Sequence, residues 1–175
     1  MRIERLGDLG DGPSVLRALA TATHRLGLPP PAALIGEWFG SRAVIAPSLS
    51  ASALTPGDVF AAPPGGRDDG PVGGGWFGYL SYPDRGADGR GPRIPEAAGG
   101  WSDTVLRCDA DGGWWHESLT GAGCPGWVSD ALRAPTGRRD ASIIWAGADR
   151  AAHQDGVREC LEAIAAGEVY QACVC

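Results

Sequence analysis

With 175 residues and 18.0 kDa, the chain has room for one ordinary domain, or one domain and a small appendage. Hydrophobic residues make up 43% and charged residues 21%, which excludes a polyelectrolyte tail and a membrane-embedded bundle, and glycine (28) with proline (14) announces long loops. All 15 basic residues are arginine, so lysine Schiff-base and P-loop chemistry are excluded, and the net charge of −6 with Arg138-Arg139 as the sole basic doublet excludes a nucleic-acid surface.

Val15, Leu16, Leu19 and Leu26 recur near helical spacing and predict a helix over 14–28, with Ser14 as its N-cap and Gly27 as its stop. After Pro29-Pro30-Pro31, the apolar runs 32–36 and 41–46 flank Trp38-Phe39-Gly40 and predict a buried hairpin. Residues 48–69 read as loop, with 58–62 as the one strand candidate. Gly73-Gly74-Gly75 precedes an aromatic strand ending at Tyr82, where glycines alternate with bulky groups and so admit a close neighbour. Those glycines do not open a helix, so they lack the gathered amides of a phosphate loop.

Residues 83–100 are charged and rich in Gly and Pro, and read as a loop or linker. Two strands, 103–109 and 113–119, joined by Ala110-Asp111-Gly112, predict a hairpin. Residues 127–133 read as a short helix, 133–141 as an arginine-rich linker and 142–146 as a strand. A helix over 149–167 follows, with Val157, Cys160, Leu161 and Ile164 on one face and Gly167 at its C-cap. The β-prone run 168–175 stops without turn or cap, so the chain is expected to end inside a strand.

The seven tryptophans (Trp38, Trp76, Trp101, Trp114, Trp115, Trp127, Trp145) could stack on a ring-bearing ligand, but they lie in separate segments, as core residues do. Cys173 and Cys175, with Cys108, Cys124 and His116, lack the Cys-x-x-Cys spacing of zinc sites, which leaves the cysteines as buried thiols. His24, His116 and His153 are scattered, with no nucleophile elbow nearby, and are expected to be satisfied imidazoles. Asp68, Asp69, Asp84, Asp88 and Glu96 have no paired-acid spacing and read as solvated loop charge. Five cysteines without a disulfide framework, and no apolar leader after Met1-Arg2-Ile3-Glu4-Arg5, point to a reducing cytoplasm. No apolar run approaches the roughly 18 residues of a membrane span.

Two segments in order, Gly74-Gly75-Trp76-Phe77-Gly78-Tyr79-Leu80-Ser81-Tyr82 and Ile164-Ala165-Ala166-Gly167-Glu168-Val169-Tyr170-Gln171, resemble the chorismate-utilising enzymes. There the first is a Gly-Gly-x-x-Gly-Tyr-x-x-Tyr strand, and the second is the Ile-x-x-Gly-Asp/Glu-x-Tyr-Gln element that opens the chorismate-binding region. Residues 34–46, with their Trp-Phe-Gly-Ser-Arg wording, and the Trp114-Trp115 hairpin are similar to the aminodeoxychorismate synthase component I family. Anthranilate synthase component I is the alternative, and a non-catalytic binding module for a ring ligand is a third reading.

The resemblance implies an α/β (α+β) layered sandwich of mostly antiparallel sheets with outer helices, incomplete at the C-terminus. It implies an N-terminal domain over 1–140 and the start of the chorismate-binding domain over 141–175. The implied reaction replaces the C4 hydroxyl of chorismate with ammonia, supplied by a glutamine amidotransferase partner, with Mg2+ as cofactor. The family's catalytic and magnesium-binding residues lie beyond the Tyr-Gln element, so this chain alone is expected to be inactive. Tyr170 and Gln171 fall in the implied substrate region, and Gly74, Gly75 and Gly78 are implied structural glycines. A tryptophan pocket is implied at Glu37 and Ser41, although Leu34-Ile35-Gly36-Glu37 lacks the serine of the family's Leu-Leu-x-Ser pattern. Cys173 stands where the family commonly has asparagine.

Overall fold

A computed structural model describes residues 1–61, 71–81, 94–134, 147 and 149–171. They fall into two compact units, Met1–Gly137 and Arg138–Cys175. The expected strand over 142–146, most of the 133–141 linker, Tyr82, Asp68, Asp69, Asp84, Asp88, Trp145, Cys173 and Cys175 lie outside the described residues. The described part is mixed α+β, with two antiparallel sheets and three α-helices.

The first unit opens with a strand that its charges hide. β1 (Arg2–Gly7), Arg-Ile-Glu-Arg-Leu-Gly, pairs with β8 (Trp114–Ser118) at one edge of a five-stranded sheet. α1 (Gly12–Leu26) follows. Its N-cap is Asp11 and not Ser14: the Asp11 carboxylate accepts from the Ser14 amide at 2.7 Å. Starting the helix earlier places Gly12-Pro13 in the first turn, where the missing proline N–H costs no helical bond. At the other end, Leu28 N–H reaches Thr23 O at 2.9 Å and Gly27 N–H reaches His24 O, with Gly27 at φ +65°. This paired closure is a Schellman stop, which a side chain on residue 27 would strain.

β2 (Ala32–Trp38) and β3 (Ser41–Ala46) form the expected hairpin, but only β3 is buried. The sheet order β1-β8-β7-β3-β2 makes β2 an edge, which leaves Ile35, Trp38 and Phe39 exposed. β7 (Thr104–Asp109) and β8 form the other hairpin. Its Ala110-Asp111-Gly112 loop is held by Asp109, whose carboxylate accepts from the amides of Asp111 and Gly113. Gly112 adopts φ +92°, as a three-residue hairpin loop requires.

One face of this sheet is covered by α1 and by α2 (Gly126–Arg133). Val15, Leu19 and Ala22 of α1 and Val128 and Ala131 of α2 pack there on Ala43, Ile45, Leu106, Cys108 and Trp114. Truncating a fully buried leucine such as Leu19 in a core of this kind costs about 2–5 kcal/mol.

A three-stranded sheet, in the order β4-β6-β5, comprises β4 (Ser52–Leu54), β5 (Gly75–Leu80) and β6 (Ala97–Ser102). Two expectations change here. The strand candidate at 58–62 is instead a 3-10 helix, Pro56–Ala61, seeded where Thr55 Oγ1 and Asp58 N–H bond each other's residue across the turn. The loop reading of 83–100 fails from Ala97 onward, because Gly99 and Gly100 are strand glycines that admit close neighbours. A Cβ on Gly99 would overlap the Trp76 indole, and one on Gly100 would overlap the Ser50 carbonyl.

In the second unit, α3 (Arg150–Ala165) starts on Asp149, whose carboxylate accepts from Ala151 and Ala152. Its C-cap is Ala166, and Gly167 at φ +76° is the following residue, closing a second Schellman stop through Glu168 N–H to Ala163 O at 2.9 Å. The predicted stripe of Val157, Leu161 and Ile164 lies along α3 but is exposed. No described helix is long and apolar enough to cross a membrane.

Candidate functional site

β8 carries three consecutive deeply buried polar residues: His116, Glu117 and Ser118 are each at most 1% exposed. Strand alternation sends Trp114, His116 and Ser118 to the helix-covered face and Trp115 and Glu117 to the opposite one.

On the opposite face, Glu117 Oε1 accepts from Arg107 Nε at 2.5 Å, and Oε2 accepts from the Gly73 amide at 2.8 Å. Arg107 also extends to Ser41 Oγ. Both oxygens of this carboxylate are therefore committed, so the group is built as an anchor and not as a free base. Gly73 makes that contact possible: it adopts φ +73°, and a Cβ there would lie 2.7 Å from Leu119 Cδ2. Beside the pair, Trp115 donates to Asp109 Oδ2 at 2.7 Å, with the Arg5 guanidinium over its ring. The indole bond is the main cause that lowers the Asp109 carboxyl.

On the helix-covered face, His116 Nε2 lies 2.7 Å from Thr104 Oγ1, and Thr104 Oγ1 donates to the Glu117 carbonyl at 2.8 Å. His116 Nδ1 is buried without a hydrogen-bond partner, 3.4 Å from Glu4 Oε2. The expectation of a satisfied imidazole thus holds at one ring nitrogen and fails at the other. Glu4 accepts from the Cys124 amide on Oε2 and from Arg2 on Oε1, and these bonds, the Cys124 amide first, keep its carboxyl below the ordinary range. Burial pushes the Cys124 thiol up, which makes it a poor nucleophile at neutral pH.

The residues singled out in the sequence occupy separate places. Glu37 is exposed near the end of edge strand β2, while Ser41 is buried at the start of β3 and donates to Phe39 O. Gly74 and Gly78 are tight, since a Cβ would meet the Ser102 carbonyl at Gly74, and the Trp76 indole and Ala98 carbonyl at Gly78. Gly75 has open space around it. Tyr170 and Gln171 follow the α3 stop, and Tyr170 is 93% exposed. Among the described tryptophans Trp114 is fully buried, whereas Trp38 and Trp101 are exposed on different sheets. Cys108, Cys124 and Cys160 are free thiols. Among the described residues no three His, Cys, Asp or Glu side chains gather around one point as a metal site requires.

The Glu117 anchor and the Glu4–His116 contact were not singled out as a site in the sequence. One signal was present: Trp-Trp-His-Glu puts one tryptophan and one ionisable group on each face of a strand after a hairpin turn. No protein-family model, no curated protein and no solved structure matches this chain.

Proposed function

We propose that this chain is the N-terminal portion of an aminodeoxychorismate synthase large subunit, the enzyme that replaces the 4-hydroxyl of chorismate with ammonia delivered by a glutamine amidotransferase. The observation that carries this reading is the order of the two motifs and their places in the chain. The Gly-Gly-x-x-Gly-Tyr run supplies β5, and the Ile-x-x-Gly-Glu-x-Tyr-Gln run ends α3 and turns at Gly167. The α+β arrangement of antiparallel sheets with helices on one face is compatible with the layered sandwich of chorismate-utilising enzymes.

In this reading Tyr170 and Gln171 lead into the substrate region, and Gly74 and Gly78 hold the β5 backbone against its neighbours. The chain itself provides scaffold, while Mg2+ and the acid-base groups belong to sequence after the Tyr-Gln element. The missing serine at Leu34-Ile35-Gly36-Glu37 favours the amination of chorismate at C4 over a tryptophan-regulated anthranilate synthase.

The test reads the gene past the codon for Cys175 and assays the longer product with chorismate, Mg2+ and ammonia. Formation of 4-amino-4-deoxychorismate is the expected result. Anthranilate as product would transfer the chain to the alternative family, and a stop codon at that point would overturn the enzyme reading in favour of a ring-ligand binding module.

A further inference from the structure

We infer that His116 and Glu4 form a proton-operated tie between β8 and β1. The neutral ring carries its hydrogen on Nε2 and leaves Nδ1 bare, and a proton taken up at Nδ1 becomes a charge-assisted hydrogen bond to the Glu4 carboxylate.

The hydrogen-bond chain fixes the tautomer. With Thr104 Oγ1 giving its one hydrogen to the Glu117 carbonyl, it accepts from His116, and this arrangement assigns Nε2 as the donor. Nδ1 then carries a lone pair and is buried without a hydrogen-bond partner, with Glu4 Oε2 3.4 Å away. The Glu4 side chain is 32% exposed and keeps part of its water, and a proton taken up at Nδ1 turns this approach of two acceptors into one of donor and acceptor.

The charges around the ring define when this happens. From β1 come Glu4, which favours the proton, and Arg2, which opposes it; from β8 itself Glu117 favours it, although its side chain lies on the far face paired with Arg107. β7 presents the hydroxyl of Thr104, and the segment before α2 presents the Cys124 amide and its protonated thiol. Burial outweighs these attractions and holds the imidazole below its ordinary range, so the ring is neutral at pH 7. Glu4 is held low as well, chiefly by the Cys124 amide, and remains ionised while the ring titrates. A window therefore exists, below the usual imidazole value of about 6.5, in which both groups are charged and face each other.

The sign for stability follows. The folded ring holds its proton less tightly than the unfolded chain, so the stability it contributes is complete above the ordinary imidazole range and is lost as pH falls towards the lowered folded value. Glu4 limits that loss.

The test is NMR of the imidazole nitrogens across a pH titration of the full chain, with a short unstructured histidine-containing peptide as the reference. The expected results are a neutral ring protonated on Nε2, a His116 midpoint below that of the histidine in the unstructured peptide, and a further drop of about one unit in Glu4→Gln. His116→Gln, which keeps a donor for Thr104, is expected to flatten the decline of the urea midpoint as pH falls below about 6.5. A neutral ring protonated on Nδ1, a midpoint at or above that of the reference peptide, or no downward shift in Glu4→Gln would overturn the proposal. The tautomer and midpoint are read on the unaltered chain, so the outcome does not depend on a variant that folds.

Discussion

Arg107 and Glu117 pair across two neighbouring strands, Nε to Oε1 at 2.5 Å, with the Glu117 side chain fully out of solvent and that of Arg107 16% exposed. A buried pair of this kind contributes little net stability against an apolar replacement, because both charges lost their water, but removing one partner strands the other. Arg107→Ala is therefore expected to cost about 3–5 kcal/mol, read as a lowered urea midpoint at unchanged slope. Arg107→Leu with Glu117→Met is expected to recover most of that loss. A double variant as unstable as the single one would show that Gly73, whose amide also depends on Glu117, carries the larger share.

Gly73 binds Glu117 through its amide only because its backbone sits at φ +73° with no side chain towards Leu119. Gly73→Ala meets both obstacles, and a left-handed non-glycine residue alone costs about 1–3 kcal/mol. Leu119→Ala in the same chain removes the steric part and leaves the conformational part. The double variant is expected to be more stable than the sum of the two single changes implies, which a double-mutant cycle in urea measures directly.

The parts of the fold legible in the sequence are those whose signals are local. The 104–118 hairpin follows from its turn and strand patterns, and α3 follows from Asp149, the stripe from Val157 to Ile164, and Gly167. What stayed hidden depends on neighbours distant in the chain. β1 is a strand because Arg2 to Gly7 pair with a segment over a hundred residues later, and its Arg and Glu residues resemble a polar leader. Gly99 and Gly100 read as loop glycines because the Trp76 ring and the Ser50 carbonyl that occupy their space cannot be seen from residues 97–102. The buried polar groups of β8 were illegible for the same reason: His116 acquires its odd status only when Glu4 and Thr104 arrive from two other strands.

Helix α1 offers a direct check of where it begins. Asp11, not Ser14, supplies the capping oxygen, and its bonds to Ser14 hold its carboxyl below the ordinary range. Asp11→Ala is expected to lower the urea midpoint at pH 7 more than Ser14→Ala does. Because the folded Asp11 is lowered relative to the unfolded chain, this advantage is present above the ordinary aspartate range and fades as pH falls through the folded value. The two variants are therefore expected to converge towards the same midpoint in strong acid.

Trp114 links the sheet to the entry of that helix. Its indole N–H donates to the Gly10 carbonyl at 2.8 Å, and its ring is fully buried among Val15, Leu19 and Val128 on the helix-covered face. The two contributions separate by substitution. Trp114→Phe keeps an aromatic ring and loses the indole bond, leaving the Gly10 carbonyl without that donor, and is expected to cost about 1–3 kcal/mol. Trp114→Ala removes the ring as well and is expected to cost about 3–5 kcal/mol, the range for emptying a large aromatic site in a packed core. Amide exchange distinguishes the roles: Trp114→Phe is expected to speed exchange first in α1's opening turn, from Ser14 to Leu16, while β7 and β8 stay protected. If the phenylalanine variant loosens the β7–β8 hairpin equally, the indole acts through the core and not through its bond to Gly10.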